Sequence, residues 1–78
     1  MATVRLFASL REIAGASEVE VPGTRLDEIV QALCERFGDR FTAIAERSSV
    51  VVDGERVTLD REITGDEEVA LLPPVTGG

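Results

Sequence analysis

The chain has 78 residues, which leaves room for one small domain with a thin core. Its formal charge of −7, from fifteen acidic residues against eight basic ones, excludes a nucleic-acid partner and favours a basic protein partner. It contains no histidine and one cysteine, Cys34, so we expect neither an internal disulfide nor a metal site.

The first two predicted strands form a hairpin. Along residues 3–8 apolar side chains alternate with others, which predicts a half-buried strand. Its inward face carries Val4, Leu6 and Ala8. Phe7 falls on the outer face, either as an ordinary exposed residue or as part of a surface for a partner. Residues 9–15 are predicted to form either a helical turn or a tight loop that ends at Gly15, and residues 17–21 a second strand.

The clearest predicted element is a helix over residues 24–37. Its apolar residues have the i, i+3, i+4, i+7 spacing of an amphipathic helix: Leu26, Ile29, Val30, Leu33, Cys34 and Phe37. Thr24 is predicted to be the N-cap, and Gly38 is predicted to end the helix in a left-handed conformation. Because Cys34 lies on the apolar stripe, we predict a core residue rather than a reactive thiolate.

The second half of the chain returns to strands. Residues 40–47 have weaker helical spacing and are predicted to form a short helical turn. Residues 49–52 precede Asp53-Gly54, the pair that favours a type I′ turn, and residues 56–59 complete a second hairpin. Residues 69–72 are apolar on both faces, which predicts a last strand inside the sheet.

The predicted order is strand, strand, helix, strand, short strand, strand. A helix that connects two hairpins lays its apolar stripe across one face of the sheet. This pattern is typical of the β-grasp, or ubiquitin-like, fold, an α+β domain with a mixed sheet of about five strands whose first and last strands are parallel neighbours. We assign residues 1–73 to this domain and residues 74–78 to a flexible C-terminal tail.

The sequence also shows neither a membrane-spanning run nor a signal peptide. No apolar run approaches the roughly 18 residues that span a bilayer. The N-terminus lacks the basic region, apolar run and cleavage site of a signal peptide. We therefore predict a cytoplasmic protein without a membrane partner.

The last six residues are the most unusual stretch of the chain. Pro73-Pro74 lack the N–H groups that a sheet ladder needs, so the strand must end at Leu72 and a short stiff stalk leaves the domain. Gly77 and Gly78 carry no side chain, which lets the terminal carboxylate thread a narrow slot in another protein. All eight basic residues are arginines, so no lysine of a second copy can receive an isopeptide bond from this tail.

Three stretches carry a resemblance to a known family. They are residues 4–15, the predicted central helix, and residues 65–78 with the terminal Pro-Pro and Gly-Gly pairs, and together they cover nearly the whole chain. In these stretches the sequence resembles the MoaD group of ubiquitin-like sulfur carriers, the small subunits of molybdopterin synthase. The terminal motif is the most specific part of the resemblance.

The resemblance implies that Gly78 is the reactive residue. A terminal carboxylate, with a pKa of about 3.3 to 3.7, is a poor electrophile and needs activation. An adenylyltransferase similar to ubiquitin-activating enzymes would use ATP and Mg to adenylate Gly78, and sulfur from a persulfide donor would displace AMP to leave a thiocarboxylate. The large subunit of molybdopterin synthase would transfer that sulfur to cyclic pyranopterin monophosphate, and Gly77 would help the tail to enter. The chain itself would bind no cofactor and would not be an enzyme on its own.

A docking patch and three alternative functions complete the predictions. Phe7, Leu59, Leu72 and Val75 are predicted to form the patch, with ordinary packing as the alternative for Leu59 and Leu72. The alternatives are a sulfur carrier for cysteine or thiazole biosynthesis, a ubiquitin-like modifier that joins Gly78 to a target lysine, and a passive interaction module. An independent enzyme is disfavoured because the chain has no nucleophile cluster and little room for a pocket.

Overall fold

The computed structural model of the protein describes residues 1–74. The elements in chain order are β1 (Ala2–Leu6), α1 (Ala8–Ala14), β2 (Glu18–Val21), α2 (Leu26–Phe37), α3 (Asp39–Ala45), β3 (Ser49–Val52), β4 (Glu55–Val57) and β5 (Glu68–Leu72). Among these helices none is long and apolar enough to cross a membrane. Val75, Gly77 and Gly78, which the sequence marks as functional, lie outside the described residues.

The strands form one sheet of five in the order β2-β1-β5-β3-β4. Strands β1 and β5 are parallel, with Val4 opposite Val69 and Leu6 opposite Leu71. The pairs β1 with β2, β3 with β5 and β3 with β4 are antiparallel. The predicted β-grasp fold is therefore confirmed, including the parallel first and last strands and the inner position of the last strand.

The core lies between one face of the sheet and the helices. Alternation places every second strand residue on this face, and α2 adds the buried side chains of its apolar stripe. The fully buried large side chains are Phe41, Leu6, Leu10, Leu26, Ile29, Leu33, Leu71, Val4, Val52 and Val69. Cys34 is partly buried against this core, as its place on the stripe predicts.

The predicted turn over residues 40–47 is a full helix, α3, that packs against both α1 and α2. Its Phe41 is fully buried, and the ring centroids of Phe41 and Phe37 lie 5.2 Å apart in a tilted arrangement that suits aromatic pairs. Helix α3 therefore covers the end of the core that lies nearest the C-terminal end of β5.

Two turns form where the sequence predicts them. Gly15 ends α1 with φ 74°, the left-handed conformation that glycine adopts without a steric cost. Asp53 and Gly54 both have positive φ, 49° and 85°, which a type I′ turn requires. The side chain of Asp53 also accepts the backbone N–H of Glu68 at 3.0 Å, which fixes this turn to the start of β5.

The start of α2 differs from the prediction. The helix begins at Leu26, and its N-cap is Arg25 without a side-chain cap bond, so the prediction of Thr24 as N-cap is wrong. The backbone N–H groups of Leu26 and Asp27 instead donate to carbonyls of the loop that follows β4, at 3.0 and 2.9 Å. The hydroxyl of Thr24 does not cap the helix; both this hydroxyl and the N–H of Thr24 donate to Glu28 Oε1, at 3.3 and 3.1 Å.

Three smaller predictions are also corrected. Ala8 does not continue β1, since it opens α1 with φ 51° and is exposed. Gly38 has positive φ but ψ −167°, which is not the left-handed helical conformation, because it also leads directly into α3. The strand predicted over 56–59 is Glu55–Val57, because the chain then turns to meet the start of α2.

Leu33 provides a test of the core. Replacing this fully buried side chain by alanine should lower the free energy of unfolding by about 2–5 kcal/mol, because lost burial and a cavity both contribute. Urea denaturation monitored by circular dichroism measures the change. The control Gln31→Ala, at an exposed position of the same helix, should change it by about 0.5 kcal/mol or less. Equal effects of the two variants would contradict the assigned face of α2.

The turn before β5 gives a pH prediction. The hydroxyl and then the N–H of Thr64 donate to Glu67 Oε1, at 2.6 and 2.8 Å, and they hold the pKa of Glu67 below its usual value. The stabilisation that this carboxylate contributes is fully present above the usual glutamate pKa of about 4.3. It is lost as the pH falls through the lowered pKa that Glu67 has in the folded protein. In an NMR titration, Thr64→Val should raise the Glu67 midpoint. The control Thr42→Val should leave it unchanged, and an unshifted Glu67 midpoint in Thr64→Val would refute the assignment.

Candidate functional site at the base of the C-terminal tail

The end of β5 fixes where the tail begins. Leu71 pairs with Leu6 of β1, and Leu72 pairs with Ser49 of β3, so the last strand is bonded to a neighbour on each side. Pro73 follows half-buried and Pro74 exposed. Because neither proline can donate to a ladder, the sheet stops here and the chain leaves it from a defined position.

An apolar strip lies on the outer face of the sheet beside this exit. It consists of Phe7, Val51, Ala70 and Leu72, and we call it the outer strip. Phe7 is 41% and Leu72 37% exposed, while Val51 and Ala70 are half-buried cross-strand partners. Since Leu6 and Leu71 are opposite each other, Phe7 and Leu72 extend from neighbouring strands toward the same end. The structure thus brings together two of the four residues of the predicted docking patch.

The other two predicted patch residues are not part of the strip. Leu59 is 43% exposed but lies after β4, with β3 between that strand and Leu72 in the sheet order. Its side chain lines a cavity of about 400 Å³ that Val30 and Cys34 also line, on the helix side of the sheet. Val75 lies outside the described residues. The role of the patch in docking stays a prediction.

Charged side chains border the outer strip. Arg5 lies between Glu18 and Glu68 on the same face, with nitrogen-to-oxygen distances of 3.8 and 3.4 Å. All three side chains are at least half exposed, so each pair contributes about 1 kcal/mol or less. Because Arg5 lies opposite Ala70 across β1 and β5, this charged row borders the outer strip directly and limits the size of any apolar contact there.

A groove opens on the other side of the stalk, where α1 and α3 meet it. Its volume is about 850 Å³, and its lining consists of Ala8, Ser9, Ala43, Ile44, Glu46, Arg47, Pro73 and Pro74. We call it the tail-base groove. Sequence reasoning missed it because three elements distant in the chain form it. The one available signal was the pair of apolar residues Ala43 and Ile44 next to the buried Phe41.

Ala8 is a strained residue at the floor of this region. It has φ 51°, a left-handed conformation that costs an alanine roughly 1–2 kcal/mol. This conformation turns the chain from β1 into α1 directly after Phe7, so that Phe7 stays on the outer face while Ser9 faces the groove. The strained residue Ala8 therefore lies between the outer strip and the tail-base groove, the two surfaces on either side of the Pro73-Pro74 stalk.

The acidic groups of the described residues do not converge on one point. Glu67 accepts from Thr64, and Glu68 pairs with Arg5, so these neighbouring carboxylates point apart. Across residues 1–74 no group of three histidine, cysteine or acidic side chains has a geometry that could hold a metal ion. Residues 1–74 thus provide a fixed base for the tail and two surfaces beside it, and within this range the acidic side chains form no common site.

Comparison with known proteins identifies the family. The model of the ThiS family matches residues 4–78, which include β1 from Val4 onward, all the other strands and the Gly-Gly end. The chain belongs to the ThiS family. It is thus a member of the superfamily of ubiquitin-like sulfur carriers that includes MoaD, in agreement with the resemblance seen in the sequence.

Relatives of this ThiS-family chain carry different names. It is 36% identical to small archaeal modifier protein 1 of Haloferax volcanii, over 95% of this chain and 97% of the relative. It is 34% identical to the molybdopterin synthase sulfur carrier subunit of Escherichia coli, over 100% of both chains. Among solved structures, it is similar to the BexX/CysO complex of Amycolatopsis orientalis, with a TM-score of 0.82, 25% identity and 100% of both chains covered.

Proposed function

We propose that this chain is the sulfur carrier subunit of a molybdopterin synthase and acts in molybdenum cofactor biosynthesis. The observation that carries the proposal is the match, over the full length of both chains, with the Escherichia coli subunit of that name. The family match as far as Gly78 supports a role for the Gly-Gly end. The fixed base of the tail supports a part for the fold in presenting that end to partners.

The proposed chemistry takes place on the carboxylate of Gly78. A partner adenylyltransferase joins it to the AMP part of Mg-bound ATP, and pyrophosphate leaves. The terminal sulfur of a persulfide donor then attacks the acyl carbon, AMP leaves, and an acyl disulfide forms. A thiol cleaves the sulfur–sulfur bond, so that the donor ends as a disulfide and Gly78 ends as a thiocarboxylate.

The thiocarboxylate then serves as the nucleophile in the synthase. Its sulfur attacks a carbon of cyclic pyranopterin monophosphate in the large subunit, a carbon–oxygen bond to the phosphate breaks, and a thioester to Gly78 forms. Water then cleaves the bond between the Gly78 acyl carbon and sulfur, which leaves the sulfur on the pterin and returns Gly78 to a carboxylate. Catalytic side chains belong to the partners in this scheme. The chain contributes the reacting carbonyl carbon and, through Gly77, a tail without bulk that fits two different active sites.

The fold supports this role by separating the anchor from the reacting end. Strand β5 is held by β1 and β3, so pulling or bending the tail does not disturb the core. The outer strip supplies an apolar contact at the exit, and apolar contacts around a buried aromatic anchor often carry binding energy. We propose that Phe7 and Leu72, and Val75 beyond them, dock the large subunit and the adenylyltransferase.

A protein modifier is the second candidate function. The 36% identity to small archaeal modifier protein 1 of Haloferax volcanii favours it, because that relative is named as a modifier. In that case activated Gly78 forms an amide with a target lysine. A carrier for cysteine or thiazole biosynthesis is the nearest alternative with the same sulfur chemistry, and the fold is the same in each case.

The intact mass of the protein distinguishes these functions. The chain is incubated with Mg-ATP, an adenylyltransferase from its source and a sulfide or persulfide donor, beside a control that lacks Gly78. A mass gain equal to sulfur replacing oxygen, in the full chain alone, supports a sulfur carrier, and product formation with the synthase large subunit and pterin precursor names the pathway. Adducts on target proteins that survive reduction and denaturation favour the modifier.

Gly78→Ala tests the reacting residue. We expect normal folding, because the last strand of the described chain ends at Leu72 and the described core contains no later residue, and loss of most sulfur transfer, because a Cβ widens the tail. The readout is product formation with the large subunit, together with the unfolding midpoint as a folding control. Near-normal product formation by this variant would contradict the assignment of Gly78 as the reacting residue.

Phe7→Asp tests the outer strip. We expect affinity for the large subunit to fall about tenfold or more, since an exposed aromatic residue at an interface often dominates binding. Stability should change by about 1 kcal/mol or less because Phe7 is largely exposed. Gln31→Asp, which adds the same charge on the exposed face of α2, is the matched control. Equal affinity of the two variants by calorimetry would remove Phe7 from the interface.

A further inference from the structure

Strand β4 is an edge strand with one free side. It is last in the sheet order, and within residues 1–74 its one neighbour in the sheet is β3. The two-residue turn at Asp53-Gly54 makes Val52 and Glu55 the closing hydrogen-bonded pair of this hairpin, and such pairs alternate with non-hydrogen-bonded ones. Arg56 and its partner Val51 are therefore a non-hydrogen-bonded pair, so the N–H and C=O of Arg56 point away from β3.

The free side of β4 is accessible. Outside the strand ladders, no backbone hydrogen bond among residues 1–74 uses the N–H or C=O of Arg56. A depression of about 550 Å³ lies here, and its lining consists of Arg56, Val57, Thr58, Asp60 and Arg61. Because no described residue of β3 lines this depression, it lies on the free side of β4 and leaves space for one more extended segment.

A second depression lies next to this edge, on the helix side of the sheet. It is the cavity of about 400 Å³ that Val30 and Cys34 of α2 line together with Val57 and Leu59, and we call it the helix-side cleft. Leu59 is 43% exposed and the other three side chains are half-buried, so the walls are apolar and reachable from the solvent. Val57 lines both depressions, so a side chain that arrives beside it can enter the cleft.

The alternation of β4 sets what a neighbouring strand must carry. Arg56 lies on the outer face of the sheet with its partner Val51. Val57 and Glu55 lie on the helix face. Side chains directly opposite each other across strands favour opposite charges and apolar pairs. The edge therefore matches an acidic residue opposite Arg56, an apolar one opposite Val57 and a basic one opposite Glu55.

A second copy of this chain does not match the edge. Strand β4 spans Glu55–Val57, and its middle residue alone has outward backbone groups. The carbonyl of Thr58, the next residue, already accepts the N–H of Arg61. A two-fold pairing of two β4 strands thus places Arg56 directly opposite the same residue of the other copy, and like charges in that position are destabilising. The occupant is therefore a different polypeptide.

We propose that the free edge of β4 is a docking site for an extended segment of another protein, which joins the sheet as a sixth strand. In the antiparallel arrangement this segment carries an apolar, an acidic and a basic residue in consecutive positions from its N-terminal end. The apolar side chain enters the helix-side cleft beside Val57, the carboxylate lies beside Arg56, and the basic group lies beside Glu55. The backbone of the segment bonds to the N–H and C=O of Arg56, and the side chains select the sequence.

This docking site goes beyond the proposed function and does not depend on it. Leu72 and the stalk continue β5, and β3 lies between β5 and β4 in the sheet. A protein that binds at β4 therefore leaves Phe7, Leu72 and the stalk accessible. The two proposals fail separately, because peptide binding is measured on the isolated chain and sulfur transfer requires partners.

Two capped peptides of the same composition test the order of the side chains. The first has leucine, glutamate and lysine between pairs of threonines, and the second has leucine, lysine and glutamate. Both peptides have zero net charge, so the charge of −7 on the chain favours neither. We expect the first to bind about three- to tenfold more tightly, because the second places like charges opposite Arg56 and Glu55.

Binding is measured by NMR titration of the isotopically labelled protein. The first peptide should shift the amide of Arg56 and the methyl groups of Val57 and Leu59. The buried Val19, on the edge strand at the other side of the sheet, is the internal control and should not shift. No shift at Arg56, Val57 and Leu59 with millimolar peptide overturns the proposal, and equal affinity of the two peptides overturns it as well.

A charge swap shows whether the two charged positions select the peptide. In the double variant Glu55→Arg with Arg56→Glu, the second peptide should bind about three- to tenfold more tightly than the first. Both positions are exposed, so the fold should be retained. The control Arg11→Glu, at an exposed position of α1, should leave the original preference unchanged. An unreversed preference in the double variant overturns the proposal. Shifts of the Arg56 amide with protein concentration alone do so too, because they assign the edge to a second copy.

Discussion

The pairing of β5 with two strands at once is the constraint on which the rest of the structure depends. Its parallel contact with β1 and its antiparallel contact with β3 join the two hairpins into one sheet. Both neighbours place their buried residues on the same face as Val69 and Leu71, so one register serves the whole core. A slip of one residue would turn the apolar side chains of the strand to the solvent.

This constraint also fixes the base of the C-terminal tail. The last strand cannot leave the sheet without breaking two ladders, and Pro73 and Pro74, which follow it, have no N–H with which to extend either ladder. In the proposed function, partners act on the tail while the core stays intact. The glycines suit the tail because a narrow chain fits more than one active site, although glycine loses more entropy than other residues when it becomes ordered.

The two surfaces beside the stalk have different chemistry. The outer strip is a shallow apolar row bordered by the charges of Arg5, Glu18 and Glu68, which suits a partner that brings apolar side chains. The tail-base groove is lined by small and apolar side chains together with the oppositely charged Glu46 and Arg47. The left-handed Ala8 lies where the chain passes from one surface to the other, so a single backbone conformation helps to set the geometry of both.

The sequence by itself determined the order of the strands, the central helix and the fold class, and it carries the prediction of a reactive tail. Periodicity, Gly-Pro signals and the Asp53-Gly54 pair are local, and local patterns were enough to place the strands, α2 and the second hairpin. Only the tertiary structure decided the cap of α2, the grouping of Phe7 with Leu72 apart from Leu59, and the groove between α1, α3 and the stalk. These features depend on which distant segments become neighbours, and strand pairing and helix packing set that after the local elements have formed.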